Sequence, residues 1–387
     1  MTAFTTRTVS PFRYDVVGSF LRPQELKEAR KQFAAGQISR DDLTAVEDRL
    51  IVDLIHKEEA TGLKAVTDGE FRRSYWHLDF FWGLQGTKHV NLKHGYFFHD
   101  EETRNDSVQL TGKLSGEDHP FVNAFKFVRD HVSAGTQVKQ TIPAPAQFLE
   151  EFLRPENQAN LKEFYPDIAD FDHDVAAAYH QVIEDLYAAG CRTLQLDDCT
   201  WGISVNNFAN LKKKDPNADT SQLVALQERF LKVNNAAIAD LPDDLTVNTH
   251  VCRGNYHSTW AAAGGYGPVA DTLFAQENVK AFYLEYDSDR AGGFKPLAKV
   301  PDEKYVVLGL VTSKTGKLED KQTIIDRIHE AAKYHPLDHL CLSPQCGFAS
   351  TEEGNILTED QQWAKVALVK EIAQDRKSTR LNSSHIL

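Results

Sequence analysis

No uninterrupted apolar run in these 387 residues is long enough to cross a bilayer. The opening Met1-Thr2-Ala3-Phe4-Thr5-Thr6-Arg7 has no apolar signal core, so the cytoplasm is the expected compartment and no membrane partner is expected. Basic residues are in deficit: 43 Lys and Arg against 56 Asp and Glu leave a formal net charge of −13. Binding along a nucleic-acid backbone needs a basic face, so nucleic acid is not an expected partner. Cysteines are few and odd in number: Cys191, Cys199, Cys252, Cys341 and Cys346 are widely scattered. In a cytoplasmic protein that pattern argues against a disulfide framework. No Gly-Ser or Pro-rich linker divides the chain, and no internal repeat is visible.

The length suits either two average domains or one large α/β barrel. An apolar share of 41% and a charged share of 26% are those of an ordinary globular protein, with material for a sizeable core. Residues 1–374 read as one domain. The remainder, Asp375-Arg376-Lys377-Ser378-Thr379-Arg380-Leu381-Asn382-Ser383-Ser384-His385 and onward, resembles a sequencing adapter translated in one frame. The segment 375–387 is therefore expected to be non-native and is left out of fold reasoning.

Eight short apolar segments read as strands, at 15–20, 65–69, 138–142, 193–197, 245–252, 279–286, 305–311 and 339–343. Several are apolar along their length, as parallel strands buried on both faces should be. Helical periodicity lies between them, at 41–61, 120–133, 171–189, 221–239, 321–333 and 359–374. In the third of these Val175, Ala178, Tyr179, Val182, Ile183 and Leu186 recur at three- and four-residue spacing, and Gly190 is a fitting stop. Alternation of this kind predicts an α/β fold, a single (β/α)₈ TIM barrel. Two stretches exceed a bare barrel. Residues 82–119 read as a hairpin-like insertion after strand two, over the barrel mouth, and 206–219 as a solvated loop whose lysines need no ligand.

Catalytic groups in such barrels emerge at the C-terminal ends of strands. His250, Cys252, Glu285 and Cys346 all fall there, on the fifth, sixth and eighth predicted strands. Imidazole, thiolate and carboxylate are zinc's ligand types, and four of them fill a tetrahedron. Residues two apart on a strand point to one side, so His250 and Cys252 can hold one ion together. The rival reading is a structural zinc. Structural sites, however, use closely spaced cysteine pairs, whereas these ligands are separated by 2, 33 and 61 residues. The same rim gathers Ser19, Asp68-Gly69-Glu70 and Asp197-Asp198; Asp198 reads equally well as a helix cap. Cys191 and Cys341 read as core residues, and the role of Cys199 is left open. His89, His94 and His99 fit neither one helical face nor one strand face, and read as exposed histidines rather than a second metal site.

His-x-Cys, a Glu one strand later and Cys-Gly at the last strand resemble the zinc signature of cobalamin-independent methionine synthases. The resemblance runs from Val17-Gly18-Ser19 to Cys346-Gly347 and is to the family's catalytic C-terminal barrel, most of all to its short single-barrel members. It implies Zn²⁺ held by His250, Cys252, Glu285 and Cys346. It further implies that Ser19, Glu70 and Asp197 bind homocysteine, with Glu70 and Asp197 serving the reaction and their carboxylates meeting the ammonium. The implied activity is S-methyl transfer to homocysteine, making methionine, from 5-methyltetrahydrofolate. On the donor side Thr312 stands where the family has His, and Asp197-Asp198-Cys199 stands for Asp-Glu-Pro. A methyl-corrinoid, or a protein carrying one, is therefore an alternative donor. Trp76, Trp82, Trp201 and Trp260 are candidates to stack on a flat donor. Other readings are a zinc-thiolate alkyltransferase of the coenzyme M type, a non-catalytic zinc protein, or a porphyrin decarboxylase-like barrel using Arg22, Arg72, Arg73 and Arg253.

Overall fold

A computed structural model describes residues 7–375 of the protein. The expectations about the first six residues and about 376–387 fall outside the described residues. Seven parallel strands form one curled sheet: β1 (Ala65–Val66), β4 (Gln137–Pro143), β5 (Thr193–Asp197), β6 (Thr246–Val251), β7 (Ala281–Glu285), β8 (Tyr305–Val311) and β9 (Leu340–Pro344). They lie side by side in that order, which is also their order along the chain. Helices supply most of the crossovers, and β5, β7 and β9 are buried at every position. The fold is thus α/β, with the sheet covered by helices. Between β1 and β4 the chain forms a two-stranded antiparallel sheet, β2 (Gln85–Asn91) with β3 (Asp106–Ser115).

Register decides what meets at the rim. Asp197 pairs with His250, His250 with Tyr283, and Glu285 with Gly309, so the polar ends of β5, β6 and β7 lie at one level. The flanking helices are set by local signals. Helix Arg40–Thr61 has a capping box between Ser39 and Asp42 and ends at Gly62, whose φ is +86°. Helix Ile168–Ala188 is capped by Asp167 and buries the stripe from Phe171 to Leu186 against the sheet.

The expected strand at 15–20 is not formed. Tyr14 makes one parallel bridge to Leu342, and Asp15 N–H donates to Leu342 O at 3.0 Å; further on, Phe20 N–H donates to Gly69 O at 3.1 Å. The carbonyls between are taken by side chains instead of a ladder. Lys139 Nζ donates to Val16 O, Gln195 Nε2 to Val17 O at 2.9 Å, and Thr67 Oγ1 to Gly18 O at 2.6 Å. Those donors satisfy the backbone as a neighbouring strand would. The loop expected at 206–219 is also corrected. Helix Thr200–Lys214 runs through most of it, ending before Pro216 with three lysines in its last turn, where cations are favoured. Helices Gln24–Ala34 and Pro145–Leu153 were not anticipated.

Candidate active site

β6 carries His250 on its inward side and delivers Cys252 just past its end; Cys346 follows β9. One ligand atom from each of these three buried residues lies within 4.8 Å of the other two. The imidazole is oriented from behind: His250 Nδ1 is 3.1 Å from Tyr283 O. A carbonyl can only accept, so Nδ1 carries a proton and Nε2 is the ring nitrogen left to face a metal. Nε2 is buried and has no hydrogen-bond partner. An orphaned imidazole nitrogen beside two thiols is the donor set that zinc fits. Hydrogen bonds from the Cys199 and Cys346 thiols hold Cys252 well below the usual thiol range, against the effect of burial.

Glu285, the last residue of β7, lies outside that group of three. Its Oε2 accepts from Arg253 N–H at 2.8 Å and from Gln345 Nε2 at 3.1 Å. Its Oε1 is buried with no hydrogen-bond partner, 3.6 Å from the Arg290 guanidinium. Cys199, which sequence reasoning left unassigned, has its Sγ 3.4 Å from Cys252 Sγ. Asp198 acts as a cap: its carboxylate accepts from Thr200 N–H at 3.0 Å and from Asn234 Nδ2 at 2.8 Å.

The metal-type cluster opens on a cavity of about 500 Å³ that Ser19, Glu70 and Asp197 also line. Gly69 and Glu70 both adopt left-handed backbone, with φ of +62° and +61°. For Glu70 that is strained, and strain of this sort is characteristic of sites that must aim a side chain. Thr141 Oγ1 donates to Glu70 Oε1 at 3.0 Å, and Arg73 pairs with it at 3.3 Å. Its Oε2 is buried and unpartnered. Asp197 accepts from Gln195 Nε2 at 2.7 Å, and burial, aided by the charge of Glu70, pushes its carboxyl up to about 7. Burial raises Glu70 as well. At both carboxyls burial outweighs the nearby cations, Arg73 and Arg22 beside Glu70 and His250 and Arg73 beside Asp197. Ser19 is seated against Gly347, where an added Cβ would stand 1.9 Å from its Oγ.

The cavity's far wall joins part of the 82–119 stretch to a helix the sequence did not single out. His94 to Phe98, from the loop joining β2 to β3, face Glu150, Glu151 and Arg154 at the end of helix Pro145–Leu153. Tyr96 OH donates to Glu151 Oε2 at 2.7 Å and contacts His77 Nε2 at 3.0 Å, tying the loop down. The pattern Phe148-Leu149-x-x-Phe152-Leu153 after Pro145 was the available helix signal. His89 and His94 pair with Asp106 and Glu102, and His99 stacks on Trp260; all three histidines are exposed.

Other candidates are otherwise engaged. Of the four candidate stacking tryptophans, Trp76 lines the cavity, whereas Trp201 is fully buried, Trp82 donates to Ser107 O and Trp260 lies under Arg290. Thr312 Oγ1 accepts from Lys314 N–H at 3.2 Å and does not line the cavity. The arginines bind protein groups: Arg22 the four backbone carbonyls of Phe20, Gly69, Arg73 and Ala349, Arg72 the carboxylates of Glu47 and Asp48, Arg73 Glu70, and Arg253 Gly264 O.

The family described as "Cobalamin-independent synthase, Catalytic domain" matches residues 12–369. "Uncharacterized protein YxjH" of Bacillus subtilis is 45% identical over 367 residues, covering 95% of each chain. A "Methionine synthase" of Saccharolobus solfataricus is 23% identical over 352 residues and 86% of each chain. Among solved structures, a putative vitamin-B12 independent methionine synthase from Listeria monocytogenes superposes with a TM-score of 0.73. It is 37% identical, over 94% of this chain and 98% of its own.

Proposed function

Since the chain belongs to the cobalamin-independent methionine synthase family, matching its catalytic domain, we propose that it is a zinc-dependent S-methyltransferase that converts homocysteine to methionine. The observation that carries this reading is one rim bearing two unlike halves. His250, Cys252 and Cys346 make up the first, and the acidic pair Glu70 and Asp197, with Asp197 beside His250 on the neighbouring strand, the second, all lining one cavity. An amino acid that ends in a thiol has an ammonium for the second half and a sulfur for the first.

His250, Cys252 and Cys346 hold the zinc, with Glu285 on the same rim as the fourth ligand that the resemblance implies. Zinc, when bound, keeps a coordinated thiol as thiolate at neutral pH. Glu70 and Asp197 receive the ammonium of homocysteine, and Ser19 lies near its carboxylate. Those contacts turn its sulfur toward the His-Cys-Cys end and fix it for in-line attack on a methyl group, which is a matter of positioning. Tyr283 O holds the His250 tautomer throughout. The donor is 5-methyltetrahydrofolate or a methyl-corrinoid, the latter free or carried by a partner protein, and it approaches from the Trp76 side. The segment 13–20 serves as the eighth stave, making the sheet a closed barrel in the cytoplasm. A porphyrin decarboxylase would need cationic groups free for several carboxylates; Arg22, Arg72, Arg73 and Arg253 are bound to protein groups instead.

Methionine formation by the zinc-loaded protein, offered homocysteine with 5-methyltetrahydrofolate or with methylcobalamin, tests the reading. Product in either tube supports homocysteine methylation, and the productive tube identifies the donor. No product from either donor, with zinc bound, would sink homocysteine methylation as the function.

A further inference from the structure

We propose that Glu150 is the acid that protonates the leaving amine of the methyl donor, so that the carrier matched to this site is an N5-methylated tetrahydrofolate. The inference rests on the homocysteine-methylating reading of the site and deepens it on the donor side. Helix Pro145–Leu153 has two faces set by its period. Phe148, Leu149 and Phe152 enter the core, whereas Gln147, Glu150, Glu151 and, just past the helix end, Arg154 line the cavity. Glu151 is tied to Ser107 Oγ, to Tyr96 OH at 2.7 Å and to Arg154 at 3.3 Å. No hydrogen bond or ion pair among the described residues holds the half-buried Glu150 carboxyl. One turn earlier, Gln147 Oε1 is buried with no partner, so the same wall presents a second polar atom that the protein leaves unmatched.

Other candidates for proton donation are engaged. Glu70 and Asp197 form the ammonium end. His77 Nε2 meets Tyr96 OH, and burial pushes that imidazole down to about 3, so it holds no acidic proton. His94 pairs with Glu102, and Glu156 is exposed to water. Tyr75 OH and Tyr96 OH donate to carboxylates, and burial raises the phenol of Tyr256. Thr312 and Lys314, beyond β8, do not line the cavity. Across the cavity from Glu150 stand His77, His94, Tyr96, Asp197 and Cys199, and Arg154, on its own face, is committed to Glu151 and to His94 O. Burial, then the charges of Asp198 and Glu151, pushes the Glu150 carboxyl up to about 7. Near neutral pH it therefore holds a proton about half the time.

When the homocysteine thiolate attacks, an S–CH3 bond forms and the CH3–N5 bond of the donor breaks, its electron pair going to N5. A deprotonated amine is a poor leaving group. A proton passed from the Glu150 carboxyl to N5 lets it leave as the neutral amine, and the Glu150 carboxylate then recovers a proton from water. A methyl-corrinoid keeps the electron pair on cobalt, so a positioned acid would serve only an amine carrier.

The test is kcat and KM for methyl transfer from 5-methyltetrahydrofolate to homocysteine between about pH 5.5 and 8.5, in the zinc-loaded full chain and its Glu150→Gln and Glu150→Asp variants. Native kcat should fall as pH rises through about 7. Glu150→Gln should lower kcat by about a hundredfold or more and abolish that pH dependence, with KM for either substrate within about threefold of native. Glu150→Asp, which keeps the acidic proton, should recover about a tenth of native kcat or more. Apart from turnover, infrared difference spectra between native protein and Glu150→Gln should show a protonated carboxyl at about pH 6 that is gone by about pH 8.5. Native kcat and pH profile in Glu150→Gln, a change in KM alone, or absence of that carboxyl band would overturn the assignment. Product from methylcobalamin but not from 5-methyltetrahydrofolate would overturn it while leaving homocysteine methylation intact, and product from neither would overturn both.

Discussion

A buried pair of carboxyls behind the active site makes a strong pH signature. Asn234 Nδ2 donates to Asp198 Oδ2 at 2.8 Å and to Glu277 Oε1 at 3.0 Å, while its Oδ1 accepts from Ala146 N–H at 2.9 Å. One amide thus serves two carboxyls, both fully buried, and the nearby Lys304 ammonium goes to the Glu277 backbone carbonyl. Burial, with the Asp198 charge adding to it, pushes Glu277 from its ordinary 4.5 up to about 8. Between those two values the native protein binds one proton that the unfolded chain does not, so stability falls as pH rises, by up to about 1.4 kcal/mol per unit, and levels off above the folded value. The whole effect is roughly 5 kcal/mol. Glu277→Gln replaces the protonated carboxyl by a neutral group of the same shape and removes the titration. Urea unfolding of both proteins from pH 6 to pH 9 should therefore show the variant's advantage widening by about 3 kcal/mol. Parallel pH profiles would mean that Glu277 does not hold its proton in the native state.

Lys139 Nζ lies 3.1 Å from Asp15 Oδ1 with both side chains almost wholly buried, and Tyr283 OH donates to Asp15 Oδ2 at 2.7 Å. Lys139→Ala should cost about 3–5 kcal/mol by stranding the carboxylate; thermal unfolding checks this, and adding Asp15→Asn should recover part of the loss. Gly347→Ala drives a methyl into Ser19 Oγ, and should raise KM for homocysteine by about tenfold or more, with zinc content unchanged by elemental analysis. Cys346→Ser should lower bound zinc and activity sharply yet leave the circular-dichroism spectrum and unfolding midpoint close to native; global unfolding would make the zinc structural.

Much of the architecture was legible because a parallel strand buried on both faces must be apolar until it ends. A polar residue at that end is then conspicuous: Asp197, His250 and Glu285 were each found in this way, and β5, β6 and β7 bear the strand assignments out. Ladder formation at 15–20 was not legible. Its carbonyls are claimed by Lys139, Gln195 and Thr67, residues 47 or more positions away whose donors point inward only once the sheet has curled. The lysine-rich stretch after Asn206 looked like loop, since composition reports exposure and not backbone conformation, and one face of a helix can be fully solvated.

For the site, the sequence by itself determined which ligand types stand at which strand ends, because strand period and strand-end polarity are local properties. It also marked Ser19, Glu70 and Asp197 as members of the same rim. Tertiary structure alone decided that Cys199 meets Cys252 across two strands, that Glu285 turns to Arg253 N–H and Gln345, and that Arg22, Arg72, Arg73 and Arg253 bind protein groups. The physical reason is shared by all three. Side-chain partners are chosen by proximity after helices dock on the sheet, and docking depends on contacts such as Gly202 against Cys252 O that no local pattern encodes.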